Sequence, residues 1–163
     1  MQCELCGETL TTQRLTSAYS PHLPTVLVDG VEHATCPRHG DAGLVYPRPT
    51  ELSALIVRAL LDKPGRLAPG EVAFLRGALG FRGKELAAEL GVTPSQVSRW
   101  ESGAMPISAL ADRLLRVLMA VSRGWPLPSL SAINPKRAEP LVLRITLGVK
   151  GWRLTNPADA HAA

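Results

Sequence analysis

Three cysteines and one histidine near the start of the chain have the types and spacing of metal ligands. Cys3 and Cys6 are separated by two residues, and Cys36 and His39 repeat that spacing. A two-residue gap lets a tight turn direct both side chains at one ion, so two such pairs are typical of a tetrahedral zinc site. Four protein ligands close the coordination shell, and the sequence therefore predicts one structural Zn²⁺ rather than a catalytic one.

Other roles for these residues stay open at this point. A redox Cys-x-x-Cys motif would need a thioredoxin-like βαβ pattern, which does not surround Cys3 and Cys6. The cysteines could also be unrelated to one another, and His22 or His33 could replace His39 as a ligand, although neither has a paired spacing. A glycine follows the second ligand of each pair, where a left-handed residue completes a tight turn, and this favours the zinc site.

A second group of residues has the chemistry of DNA recognition. Ser95, Gln96 and Arg99 occupy positions i, i+1 and i+4, which places them on one side of a helix. Arginine can donate two hydrogen bonds to guanine, glutamine can pair with adenine, and serine can bond to a base or a phosphate. We predict that these three residues read bases. The residues that we expect to contact phosphate groups are Arg82, Lys84, Thr93 and Ser98.

The elements around these residues predict a helix-turn-helix. Residues 86–90 have the apolar spacing of a helix that buries one face, and Gly91 suits the left-handed residue that ends it. Thr93 caps the next helix, in which Trp100 faces inward. Two short helices joined by such a turn describe a DNA-binding unit. A helical bundle with a solvated polar face, in which Arg99 pairs with a carboxylate, is the alternative.

Strands are predicted at both ends of the chain. Residues 25–35 have the pattern of a short hairpin with its turn at Asp29-Gly30, and a further strand is expected around residues 8–16. Residues 143–149 alternate between apolar and polar side chains and can return through 152–155 as a second hairpin. An isolated hairpin is marginally stable, so this one must pack on its own domain, on a second subunit or on another protein.

Apolar periodicity predicts further helices over residues 51–62, 71–80 and 107–122. In the last of these, the expected buried stripe consists of Leu110, Leu114, Leu118 and Val121. We therefore divide the chain into a zinc-binding β domain (1–49), a helix and linker (50–70), a helix-turn-helix domain (71–123) and a Pro-rich arm with a hairpin and frayed tail (124–163).

Composition and charge exclude several function classes. The chain has 163 residues, a net charge of +4 and 4% aromatic residues, which is few for an RNA platform of stacked rings. It has no apolar run of roughly 18 residues and no signal-peptide pattern, so we expect a cytoplasmic protein without a membrane span. Residues 1–40 carry a net charge of −2, so a DNA-binding surface should lie later in the chain. No catalytic constellation stands out, and no enzyme is predicted.

The stretch Leu86–Val92 followed by Val97–Gly103 resembles the Cro/CI-type (XRE) helix-turn-helix. The order of parts, with zinc ligands first and this domain second, resembles the YgiT-type zinc-finger antitoxins over roughly residues 1–122. The resemblance implies a mainly α fold with a small N-terminal zinc-bound β domain and a five-helix Cro/CI-type domain. It also implies that Arg99 and Ser95 are base readers and that Glu101 is structural.

The resembled family consists of dimeric repressors that bind an operator through the helix-turn-helix and a toxin, often an mRNA-cleaving ribonuclease, through the zinc domain. This chain departs from the pattern in three places. Its second ligand pair is Cys36 and His39 instead of two cysteines, Arg82-Gly83 replaces the usual Thr-Gln, and residues 124–163 lie outside the match.

These observations predict a sequence-specific DNA-binding regulator that represses its own gene as a homodimer on a double-stranded operator. A protein-binding module is the alternative. In that reading the acidic zinc domain neutralises a basic toxin or another basic partner, and DNA binding is secondary.

Overall fold

The computed structural model describes residues 1–155. The expected frayed tail at residues 156–163 lies outside the described residues. Over the described range the chain forms five β-strands, five α-helices and one short 3₁₀ helix. Their bounds are β1 Thr11–Ser20, β2 Leu23–Cys36, β3 Gly40–Val45, α1 Pro49–Asp62, α2 Pro69–Ala78, α3 Gly83–Leu90, α4 Pro94–Ser102, α5 Ala109–Ser122, the 3₁₀ helix Leu130–Ala132, β4 Leu143–Gly148 and β5 Gly151–Thr155.

The fold is mixed α/β, so the prediction of a mainly α protein is wrong. The five strands of the described residues form one sheet in the order β1-β2-β4-β5, and β3 also pairs with β2. β2 and β4 are parallel, whereas β2 and β3, and β4 and β5, are antiparallel. The prediction treated the N-terminal and C-terminal strands as separate. In the structure β4 pairs directly with β2, so the C-terminal hairpin extends the N-terminal sheet.

The predicted turn at Asp29-Gly30 is also wrong, because β2 runs through these residues without reversing. The chain reverses earlier, at residues 21–22. The Asp29 carboxylate instead accepts hydrogen bonds from the Arg144 guanidinium of β4, at 2.7 and 3.1 Å. Gly30 has a φ of +96°, and a Cβ there would lie 3.1 Å from the Cβ of Leu147. The Asp-Gly pair therefore allows β4 to approach and does not form a turn.

The described residues divide into two compact units. The sheet unit consists of Met1–Tyr19, Val26–Leu55 and the described residues from Leu143 onward, and the helical unit consists of Ser20–Thr25 and Ile56–Val142. In the sheet unit Trp152 is buried, and its indole Nε1–H donates to the Pro47 carbonyl at 2.7 Å.

The predicted buried stripe of α5 is wrong by one helical position. Leu110 is 76% exposed and Val121 is 66% exposed, whereas Leu115 and Met119 are fully buried. Both sides of α5 carry apolar residues, so periodicity alone could not identify the inner side. The buried side also carries two charged residues, which an apolar pattern does not include.

Those two charges, Asp112 and Arg116, hold the linker between α1 and α2. The Arg116 Nε donates to Asp112 Oδ1 at 2.7 Å, and its Nη atoms donate to the carbonyls of Leu61, Lys63 and Gly65. The backbone N–H of Leu67 donates to the second Asp112 oxygen at 2.7 Å. A buried guanidinium is stable only when its donors are satisfied, and here the linker carbonyls satisfy them.

Candidate metal centre and DNA-recognition helix

Cys3, Cys6, Cys36 and His39 come together in the sheet unit, and their ligand atoms all lie within 4.8 Å of one another. The Cys6 and Cys36 Sγ atoms are 3.7 Å apart. His39 Nδ1 lies 3.5 Å from the Cys3 Sγ and 3.6 Å from the Cys36 Sγ. A tetrahedral zinc ion with Zn–S bonds of about 2.3 Å and a Zn–N bond of about 2.0 Å places its ligands roughly 3.5–3.8 Å apart. The donor set and its spacing therefore fit one tetrahedral metal ion.

Local backbone geometry positions both ligand pairs. Gly7 and Gly40 have φ values of +74° and +79°, as predicted for the residue after each pair. The Gly7 N–H donates to the Cys3 carbonyl at 2.8 Å, which closes the first turn. In the second pair, Cys36 ends β2 and His39 lies in the turn before β3. These two strands are antiparallel and pair Cys36 with Gly40.

Neighbouring groups shift the pKa values of the ligand side chains in both directions, lowering those of Cys3 and Cys36 and raising those of Cys6 and His39. Hydrogen bonds from the Leu5 backbone N–H and from His39 lower the pKa of Cys3 to about 6. Contacts with the thiols of Cys3 and Cys36 raise the pKa of His39. Protons therefore compete for these ligand atoms, and metal affinity should fall as the pH is lowered.

The two other candidate histidines lie outside the cluster. His33 Nε2 is 2.8 Å from Asp41 Oδ1, so its ring is engaged elsewhere. His22 belongs to the turn between β1 and β2. Among the described residues, His39 is thus the histidine that completes the ligand set.

The helix-turn-helix of the helical unit consists of α3, a tight turn and α4. Gly91 ends α3 in the left-handed conformation, with a φ of 65°. Thr93 caps α4 by accepting a hydrogen bond from the Gln96 N–H, and Pro94 occupies its first turn. Val97 and Trp100 are buried. These local features agree with the sequence prediction, since caps and left-handed glycines are determined by neighbouring residues.

The outward side of α4 carries Ser95 and Arg99, both of which are exposed. The Arg99 side chain has no hydrogen-bond or ion-pair partner within residues 1–155, which removes the alternative that it serves a local carboxylate. Gln96, in contrast to Ser95 and Arg99, is half-buried. Its Oε1 accepts hydrogen bonds from the Thr93 N–H at 3.0 Å and from the Thr93 hydroxyl at 3.2 Å. Gln96 thus takes part in the capping of α4.

The expected phosphate-contacting residues lie around the same element. Arg82 and Lys84 are exposed at the N-terminus of α3, and Ser98 is exposed on α4. None of these three side chains has a partner in the part of the chain that the structure describes. Thr93 is exposed, but its hydroxyl already bonds to Gln96.

An ion pair that the sequence analysis did not identify joins α2 to α4. The Arg76 guanidinium donates to both carboxylate oxygens of Glu101 and to the carbonyl of Phe81. Glu101 was assigned a structural role by resemblance, but nothing in the spacing of the sequence indicated Arg76 as its partner. Arg76 and Glu101 are 25 positions apart in the chain, so sequence spacing gives no indication that they pair.

Comparison with known proteins identifies the helical segment. Residues 72–121 match the family model described as helix-turn-helix, which covers less than half of the chain. The match contains α3, α4 and the turn between them. The chain therefore contains a helix-turn-helix domain of the kind that binds double-stranded DNA. No curated protein and no solved structure matches the chain.

No helix of the described residues has both the length and the apolar character that crossing a bilayer requires.

Proposed function

We propose that this protein is a sequence-specific DNA-binding repressor that reads an operator with α4 and controls its own gene. The observation that carries the proposal is Arg99, an exposed guanidinium on the second helix of the helix-turn-helix without a partner among residues 1–155. A charged side chain held on a rigid helix is available for bidentate donation to guanine O6 and N7. Its freedom contrasts with Arg76 and Arg116, which are committed to carboxylates.

The residues of α4 divide into readers and a positioning residue. We assign base reading to Arg99 and Ser95, which are exposed. Gln96 can read a base only through its amide NH₂ group while its Oε1 caps the helix. A bidentate contact with adenine needs both atoms, so Gln96 must release Thr93 before it can make one.

We assign phosphate contacts to Arg82, Lys84 and Ser98. Thr93 can make such a contact only if its hydroxyl bonds to the phosphate as well as to Gln96. Arg82 and Lys84 lie at the N-terminus of α3, where positive charge and helix dipole both attract phosphate. Arg82 also replaces part of the Thr-Gln pair that is usual in the resembled domain. We therefore assign the role of the absent glutamine to the Arg82 cation.

We propose that the protein binds DNA as a homodimer through the outer side of α5. Leu110, Leu114, Leu118 and Val121 lie along one side of this helix, and the first and last are 76% and 66% exposed. Leu114 and Leu118 between them are half-buried. Exposed apolar residues that share one side of a helix are a common feature of protein interfaces. Two copies would then place their recognition helices on half-sites about one helical turn apart.

The zinc ion would act as a structural cofactor held by Cys3, Cys6, Cys36 and His39. Its four bonds would tie the N-terminal segment to the end of β2. Bound zinc supplies folding free energy and, with four protein ligands, no open position for a substrate.

An antitoxin role is the second candidate, and the acidic N-terminal segment, residues 1–40 with a net charge of −2, favours it. Glu4 and Glu8 are exposed beside the ligand turns and have no partner among residues 1–155. A basic toxin would meet matching charge there. Capture of one basic protein from native extract by the metal-loaded full chain, but not by the Glu4→Lys, Glu8→Lys variant, supports this role. Equal capture by both forms, or no capture, argues against it.

Fluorescence anisotropy tests the primary function. The metal-loaded full chain is titrated onto DNA from its own upstream region and onto random DNA of equal length, over a series of salt concentrations. We expect tighter binding to the upstream DNA, weakening with salt because phosphate contacts release counterions. Equal, weak binding to both DNAs would contradict the proposal.

A further inference from the structure

A cavity of about 150 Å³ lies in the helical unit, beside the end of α4. The linker before α2, the segment between α4 and α5 and part of the C-terminal arm form its walls. Cavities of this volume in other proteins hold a benzene molecule. The walls are largely apolar, and they include Arg66, Leu67, Trp100, Met105, Ile107 and Ala138.

Two donors that belong to the walls of this cavity have no acceptor. Trp100 is 2% exposed, and its indole Nε1–H is buried without a hydrogen-bond partner among the described residues. The Nε–H of Arg66 is also buried without a hydrogen-bond partner among the described residues. The Nε–H of Arg113 is also buried without a partner among the described residues, but Arg113 does not line this cavity. Buried donors in native proteins are almost always satisfied, so the two donors at the cavity call for an acceptor from outside the chain, a water molecule or a ligand.

The charge at this position is also unmatched. The buried cations of the helical unit have acidic partners, since Lys63 pairs with Glu71 at 2.6 Å and Arg116 pairs with Asp112 at 2.7 Å. Arg66 is half-buried and has no carboxylate partner within residues 1–155. An anionic acceptor would satisfy its charge and its donor together, and a planar carboxylate suits the guanidinium best.

We propose that this cavity is a binding site for a small monocarboxylate with an apolar body about the size of a benzene ring. The carboxylate oxygens accept hydrogen bonds from the Trp100 Nε1–H and the Arg66 Nε–H, and the apolar body lies against Leu67, Met105 and Ile107. Because Trp100 belongs to α4 and residues 103–107 join α4 to α5, the ligand contacts the base of the recognition helix. The site is independent of DNA binding, so each proposal can fail separately.

The test uses the indole N–H signals of the ¹⁵N-labelled full chain. The chain has three tryptophans, Trp100, Trp125 and Trp152, and a Trp100→Phe spectrum assigns the signal of interest. Sodium benzoate is the probe, and benzyl alcohol is its neutral counterpart of similar shape. We expect benzoate to move the Trp100 signal saturably, with the other two signals unmoved, and benzyl alcohol to bind about tenfold more weakly or worse.

A charge variant and its control complete the test. Arg66→Gln should weaken benzoate binding by about tenfold or more, while Lys136→Gln, which removes an exposed charge from the arm of the same unit, should leave it unchanged. The absence of a saturable Trp100 shift in the unmodified chain would overturn the proposal. So would a shift that Arg66→Gln or the neutral probe reproduces at equal concentration, because the carboxylate would then not be recognised.

Discussion

Arg76 of α2 and Glu101 of α4 form an ion pair with two parallel hydrogen bonds, Nε to Oε1 at 2.5 Å and Nη2 to Oε2 at 3.1 Å. Both side chains are about three-quarters buried. The carboxylate of Glu101 raises the pKa of Arg76. This contact fixes the recognition helix against the helix that precedes the helix-turn-helix.

The first prediction concerns this pair. Glu101→Gln should lower the free energy of unfolding by about 1–3 kcal/mol, because it weakens two charge-assisted hydrogen bonds that are partly shielded from water. Asp62→Asn, which breaks the exposed pair with Arg58, should cost less than about 1 kcal/mol. Urea unfolding of both variants measures the two values. Equal losses would mean that the Arg76–Glu101 pair has no special role.

The second prediction concerns metal content. The purified chain should contain one zinc ion, and Cys6→Ser or His39→Ala should lose it and the folding free energy that it provides. His33→Ala is the matched control, because His33 bonds to Asp41 and lies outside the ligand set. Metal analysis by mass spectrometry and thermal unfolding with and without a chelator measure both effects. Full zinc content in His39→Ala would show that the ligand set is wrong.

The third prediction concerns acid stability. Hydrogen bonds from Arg144 lower the pKa of Asp29 below its ordinary value of 3.8. The fold therefore favours the ionised carboxylate, and this stabilisation is present above the ordinary pKa and lost as the pH falls through the lowered value.

Urea midpoints of the wild type and of Asp29→Asn should accordingly differ by an amount that is constant at neutral pH. That difference should shrink as the pH falls below about 4. A difference that does not change down to the lowest accessible pH would mean that the Asp29–Arg144 pair does not stabilise the sheet through its charge.

The sequence predictions were accurate for features set by neighbouring residues and inaccurate for contacts between residues far apart in the chain. The turn at Gly91, the cap at Thr93 and the ligand pairs are set by residues two to four positions apart, and sequence spacing identified them. The parallel pairing of Val28 with Ile145 joins residues more than a hundred positions apart, and no local pattern indicates it. Local patterns predicted strands at both ends of the chain but treated them as separate small hairpins, and the single sheet that they form makes the fold mixed α/β instead of mainly α.

The α5 helix illustrates a different limit. Both of its sides are apolar, so hydrophobic periodicity has two solutions that differ by one position. The buried pair of Asp112 and Arg116 decides between them, because their hydrogen bonds to the linker fix that side inward. A sequence pattern that seeks only apolar residues cannot use this information.

The fourth prediction concerns the side of α5 that is opposite to Asp112 and Arg116. Leu110→Lys combined with Val121→Lys should convert a dimer into a monomer in analytical ultracentrifugation, because a lysine would be buried without a partner in the interface. Leu127→Lys is the matched control, since Leu127 is 59% exposed but lies beyond α5. An unmodified chain that sediments as a monomer, or a double variant that remains dimeric, would contradict the proposed interface.

The measurement that tests the central claim most directly compares Arg99→Ala and Arg99→Lys on operator and random DNA. Lysine keeps the charge but lacks the bidentate fork of the guanidinium, so both variants should lose about 1–3 kcal/mol on the operator. On random DNA, Arg99→Lys should bind as the wild type does. If instead Arg99→Lys retains full operator affinity, or if Arg99→Ala weakens binding equally on both DNAs, then Arg99 contacts phosphate and does not read a base.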